Sequence, residues 1–196
     1  MSIIINNLTK RYGNKTVLDN ICYSFDDNKI YFIVGINGVG KSTLYKAILR
    51  QIHYQGEIII NGKISYIPEE PFMPALMSVK SFLKNITNKT LDLDQKIDYY
   101  LNYFNINDVR NKELGMVSKG TKQKINIIQA LISPSDILII DEPLNGLDKE
   151  SQKLFMNLLK NIKNNKLIIF VSHQTCRYKF DNLTNLILKD GKLWEK

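Results

Sequence analysis

Short apolar runs mark both ends of the chain, while apolar residues three and four apart mark its middle. Ile3 to Leu8, Val17 to Tyr23 and Ile30 to Val34 predict strands, with Asp26-Asp27-Asn28-Lys29 as the turn before the third. The third strand leads into a glycine-rich segment, Gly35 to Gly40, and Lys41 to Arg50 then fits a helix with Leu44, Ala47 and Ile48 on one side. Glu57 to Ile60 and Lys63 to Ile67 flank Asn61-Gly62, which predicts a two-residue hairpin ended by Pro68. From Pro71 to about Leu131 the spacing turns helical: Leu76, Val79, Phe82, Leu83 and Ile86 recur at three and four, as do Ile97, Tyr100, Leu101 and Phe104. Ile137 to Ile140 and Leu167 to Val171 are apolar runs separated by a helix-like segment, Lys149 to Lys163, the pattern of buried parallel strands joined by crossovers. Leu186 to Leu188, Asp190-Gly191 and Leu193 to Trp194 predict a terminal hairpin. The class is α/β.

A chain of 196 residues fits one domain, or one core carrying a small subdomain. With 44% hydrophobic and 23% charged residues, disordered, collagen-like and disulfide-scaffold classes are excluded. No apolar stretch approaches the roughly 18 residues that a spanning helix needs. Met1-Ser2-Ile3-Ile4-Ile5 has neither a basic n-region nor a long apolar core, so a cytoplasmic location is expected. Cys22 and Cys176 lack metal-ligand spacing and read as reduced packing or surface residues. Lys and Arg number 27 against 19 Asp and Glu, a net +8. The lysines are scattered, which favours a solvated surface over a basic face for nucleic acid, anionic lipid or a polyanion such as ATP.

Two segments carry chemistry. Gly35-Ile36-Asn37-Gly38-Val39-Gly40-Lys41-Ser42 matches G-x-x-x-x-G-K-[ST], placed between a strand and a helix, where backbone N–H groups can wrap a phosphate. In that pattern Lys41 reaches the β/γ-phosphates and Ser42 a Mg²⁺ ion. Asp136-Ile137-Leu138-Ile139-Ile140-Asp141-Glu142-Pro143 sets two adjacent carboxylates at the carboxyl end of a buried strand. Asp141 is suited to hold Mg²⁺ through water, and Glu142 to polarise an attacking water as general base.

From about residue 3 to residue 194 the chain resembles the nucleotide-binding domain of ATP-binding cassette (ABC) transporters. That resemblance implies a P-loop NTPase core, RecA-like with a mainly parallel sheet, an N-terminal antiparallel β subdomain and a helical insert. The expected arrangement is one domain over residues 1–196, its core at about 1–70 and 132–196 and its helical part at about 71–131. Val117-Ser118-Lys119-Gly120-Thr121-Lys122-Gln123-Lys124 aligns with the family's Leu-Ser-Gly-Gly-Gln-like signature. By the family's mechanism, Ser118 and Gly120 bind the γ-phosphate of ATP held by another subunit. His173 matches the switch histidine that contacts the γ-phosphate and the attacking water, and joins Glu142 as a catalytic candidate. Tyr12 matches the aromatic that stacks on adenine, and Gly35, Asn37, Gly38, Gly40, Lys41, Ser42 and Thr43 match the phosphate loop. Asn145-Gly146-Leu147-Asp148 resembles a loop whose aspartate lies at the dimer interface, whereas His53 matches nothing in the family.

Three features depart from the family. Glu69 stands where many members have a Mg²⁺-ligating glutamine; with Ser42 and Asp141 it completes the metal candidates. In the signature, Lys119 replaces a glycine and Thr121 a glutamine; Lys119 either adds a cation near the phosphates or points to solvent. The stretch from Gly56 to Pro68 is short, which suggests a trimmed antiparallel sheet.

The resemblance implies an ATPase subunit at the inner face of the membrane. It would pair head to tail with a second nucleotide-binding subunit and drive a separate integral-membrane subunit docked near Glu69 to Met77, with no nucleic acid expected. Ser118 to Gln123 is similar to signatures of small-exporter subunits. A soluble cassette ATPase, for example in iron–sulfur cluster assembly, is the second reading. A nucleotide kinase is a third, which accounts for neither Ser118 to Gln123 nor His173.

Overall fold

In chain order the residues form β1 (Ser2–Tyr12), β2 (Lys15–Asp26), β3 (Ile30–Val34), α1 (Lys41–Ile48), β4 (Gln55–Asn61), β5 (Ile64–Ile67) and α2 (Val79–Asn85). There follow α3 (Leu93–Tyr103), α4 (Lys119–Ile132), β6 (Ile137–Asp141), α5 (Lys149–Ile162), β7 (Leu167–Ser172), β8 (Leu183–Lys189) and β9 (Lys192–Glu195). The computed structural model describes residues 1–85, 92–173 and 180–196. They fall into one unit of Met1–Ile64, Ser135–Glu142 and Lys160–Lys196, and another of Ser65–Pro134 and Pro143–Leu159.

The first unit is built on strands. β3, β6 and β7 consist almost wholly of buried Ile, Leu, Val and Phe, as strands covered on both faces must. They run parallel in the order β6-β7-β3-β8, and β9 closes antiparallel on β8. Phe32 and Phe170 stack across β3 and β7 with ring centroids 4.7 Å apart. Register places Val34 opposite Ser172 and Asp141 opposite Val171. The carboxyl ends of β3, β7 and β6 therefore open at one edge of the sheet. A second sheet, β2-β1-β4, is antiparallel and buries Ile3, Ile5, Leu8, Leu18, Ile21 and Phe25. β1 and β2 extend past the apolar runs that predict them, because Lys10, Arg11 and Tyr12 continue the ladder through backbone bonds that need no buried side chain.

The expected hairpin at Asn61-Gly62 does not form. β4 pairs with β1 instead, and Lys63 is held by the start of β6. Its amide donates to Asp136 Oδ2 at 2.8 Å, and its carbonyl accepts from the amides of Asp136 at 2.9 Å and Ile137 at 3.0 Å. Those three bonds to the start of β6 outweigh a local turn preference of a two-residue signal.

The second unit is helical. α2, α3 and α4 pack on one another around Val79, Phe82, Leu83, Ile97, Leu101 and Ile125. Tyr103 Oη donates to the Leu154 carbonyl at 3.0 Å and ties α3 to α5. The helical spacing read from Leu76 onward starts too early: Pro71 and Pro74 keep residues 71–77 irregular, and Leu76 is exposed. Ile86 and Cys176 lie outside the described residues. Cys22 is exposed and bonded to Asn7.

Candidate functional site

β3 ends at Val34, and the chain turns through residues 35–40 into α1. Gly40 caps that helix at φ +116, a conformation that side chains other than hydrogen rarely tolerate, and a Cβ there would stand 2.9 Å from Val17 Cγ1. The close approach sets β2, at Val17, against the loop, while Tyr12 is exposed at the end of β1. No side chain caps α1 and its first turn holds no acid, so the helix presents N–H groups and positive dipole toward an anion. Lys41 is buried, its Nζ donating to the carbonyls of Gly35 at 2.7 Å and Ile36 at 3.2 Å. Its ammonium thus braces the loop from inside. Asn37, Gly38 and Ser42 are exposed at the mouth, and Gly35 and Thr43 are half-buried.

At the same edge of the sheet, β6 delivers a buried Asp141 followed by Glu142. Glu142 adopts φ +43, a strained conformation for a residue with a side chain, and its amide donates to the Val171 carbonyl at 3.0 Å. Its carboxylate is held by β7. Oε1 accepts from the His173 amide at 2.6 Å and lies 2.8 Å from His173 Nδ1, while Oε2 accepts from Ser172 Oγ at 3.0 Å. The first unit accordingly brings together the phosphate loop, Asp141, Glu142 and His173. Ser172 was invisible to sequence reasoning, since no motif distinguishes one more residue at the end of an apolar run.

The second unit carries the remaining candidates. Ser118 is the N-cap of α4: its Oγ accepts from the Thr121 amide at 3.1 Å and lies 2.9 Å from Thr121 Oγ1. The threonine that departs from the family pattern thereby supplies a second partner for the signature serine. A Cβ on Gly120 would stand 2.9 Å from the Gly146 carbonyl oxygen, so any side chain there pushes the two segments apart. Lys119 is exposed, and its aliphatic stem runs beside Gly146. Glu69 Oε1 accepts from Asn145 Nδ2 at 3.0 Å, a link between the two loops that spacing could not reveal. Asp148 accepts from the Ser151 amide at 2.7 Å, capping α5, and that bond holds its carboxyl below the ordinary carboxylate range.

Among the described residues no cluster of three or more His, Cys, Asp or Glu side chains is assembled to hold a metal ion. A hydroxyl at Ser42 and a carboxylate at Asp141 are hard oxygen donors of the kind that bind Mg²⁺ jointly with phosphate oxygens. The residues fit that mode. Among the described residues no helix is long and apolar enough to cross a membrane.

A phosphate loop opening a helix at the end of β3, with acids at the carboxyl end of β6 in the same parallel sheet, is the arrangement of P-loop nucleotide-binding proteins. The chain belongs to the ABC transporter family, whose model matches residues 18–145. It is 35% identical over 198 residues to an ABC transporter ATP-binding protein of Methanocaldococcus jannaschii, covering 97% of this chain and 75% of that one. It is 30% identical to the zinc import ATP-binding protein ZnuC of Rickettsia conorii, covering 87% of this chain and 76% of that protein. The structure of an ABC transporter ATP-binding protein from Pyrococcus furiosus superimposes with a TM-score of 0.80 at 27% identity, covering 94% and 97% of the two chains. The protein is an ATP-binding, ATP-hydrolysing subunit that powers transport with a membrane-spanning partner. Nothing in these relatives favours the iron–sulfur reading.

Proposed function

We propose that ATP binds with its triphosphate in the loop of residues 35–43 and its adenine against Tyr12, and that Glu142 activates the water that attacks the γ-phosphate. The observation that carries this reading is the pairing of Glu142 with His173 at the carboxyl edge of the sheet that also ends in the phosphate loop. Lys41 and the amides opening α1 bind the phosphates, and His173 orients the γ-phosphate and the water. Ser42 and Asp141 would hold Mg²⁺, which when bound neutralises phosphate charge during transfer. Ser172 and the His173 amide fix the Glu142 carboxylate so that it needs no reorganisation before taking the proton.

Ser118 and Gly120 act on the ATP of a second copy or a related subunit, placed head to tail. The capped start of α4 supports that role, since a hydroxyl and a helix N-terminus converge there. The membrane-spanning partner docks on residues 69–77 of the second unit, from the cytoplasmic face. There the amides of Leu114 and Gly115 bond the carbonyls of Met77 at 2.9 Å and Ala75 at 2.8 Å, joining two segments that expose Phe72, Leu76 and Met116. Sedimentation of the Glu142→Gln variant tests the pairing. It is expected to move from monomer to dimer when ATP and Mg²⁺ are added and to stay monomeric with ADP; a monomer under both conditions overturns the head-to-tail reading.

A further inference from the structure

Tyr12 carries a charged neighbour that the reading above does not use. Lys10 Nζ stands 4.7 Å from the centroid of the Tyr12 ring, within cation–π range. The same nitrogen donates to the His53 carbonyl at 2.6 Å, so the ammonium is anchored rather than swinging in solvent. Lys10 lines a groove of about 230 Å³ with Thr9, Arg11, His53, Tyr54 and Gln55, and its side chain is half-buried. Tyr12 itself is 50% exposed. An exposed tyrosine at a strand end samples several rotamers and offers both faces to a ligand, and each costs affinity when the ring is finally ordered. A fixed cation over one face removes both problems: it holds the ring and leaves a single face for stacking.

We propose that Lys10 is a positioning residue for nucleotide recognition, committing one face of Tyr12 to the ammonium so that the base stacks on the other. The proposal rests on the reading of Tyr12 as the residue that stacks on the base. It also gives His53 a part: its carbonyl, in the connection between α1 and β4, joins the helix that receives the phosphates to the lysine that steadies the base platform. Lys10 reaches Tyr12 because residues two apart on a strand share a face.

Steady-state kinetics on the intact chain test this, with ATP as substrate and ribose 5-triphosphate as a ligand lacking the base. Lys10→Met keeps the stem and removes the charge. It is expected to raise KM for ATP about two- to fivefold with kcat unchanged, the range of an exposed cation–π contact. Lys10→Arg is expected to restore the KM, and affinity for ribose 5-triphosphate is expected to be the same in all three chains. Tyr12→Ala is expected to raise KM for ATP but not to weaken ribose 5-triphosphate, and Lys10→Met is expected to add nothing to it. If Tyr12→Ala weakens ATP while Lys10→Met does not, the lysine has no such role although the stacking reading stands. If Lys10→Met weakens both ligands equally, Lys10 acts on the phosphates and the proposal falls. If Tyr12→Ala leaves ATP unaffected, the stacking reading fails and takes the proposal with it.

Discussion

Glu142→Gln is expected to lower ATP turnover by about 10²- to 10⁴-fold, the range a positioned general base contributes, while ATP affinity stays within a few-fold. The two side chains have the same shape, and glutamine's carbonyl oxygen can keep both bonds from His173. Its amide can face Ser172 Oγ, where the serine becomes the acceptor. The strained φ of +43 is no harder for glutamine than for glutamate, so the variant is expected to fold and melt near the parent temperature. What disappears is basicity at one carboxylate. Phosphate release paired with calorimetric ATP binding reads the two effects separately. Turnover reduced less than tenfold would place the base elsewhere, and a parallel loss of binding would make Glu142 structural.

Lys41→Ala is expected to act at the opposite stage, weakening ATP binding by about 10²-fold, the scale of hydrogen bonds from a charged donor. Two contributions combine. The triphosphate loses a cation that burial has already stripped of water, and the carbonyls of Gly35 and Ile36 lose the donor that braces the loop. Lys41→Arg is not expected to rescue it, because a planar five-donor fork cannot occupy a pocket shaped around a tetrahedral ammonium. Equilibrium binding of ATP to both variants checks this, and unchanged affinity in Lys41→Ala would contradict the assignment of the loop.

Where local pattern and tertiary demand coincide, the fold could be read directly from the chain. Ile30 to Val34, the glycine loop and α1 form one such stretch, and the apolar runs of β6 and β7 another, because strands buried on both faces must be continuously apolar. The Asn61-Gly62 hairpin failed for the opposite reason. A two-residue turn signal is local, and the backbone bonds that hold Lys63 come from Asp136 and Ile137, more than 70 positions away. The site divides in the same way. Motif spacing singled out Lys41, Asp141 and Glu142, and the family resemblance His173, Tyr12 and Glu69, but the side chains that contact these candidates leave no periodic trace. Ser172 closes an apolar run, Asn145 is one polar residue in a turn, and Lys10 is one lysine among many; only the folded backbone brings them to Glu142, Glu69 and Tyr12.

Mixing two disabled chains tests the shared-nucleotide arrangement most directly. Lys41→Ala removes a chain's phosphate cradle, and Gly120→Asp forces a side chain against the Gly146 carbonyl at the start of α4. Both chains also carry Glu142→Gln so that bound ATP persists, and each alone is expected to remain monomeric with labelled ATP. Head-to-tail pairing of the two unites one intact cradle with one intact signature, so the mixture is expected to sediment as a dimer retaining one ATP per two chains. A mixture that stays monomeric with ATP would contradict the account.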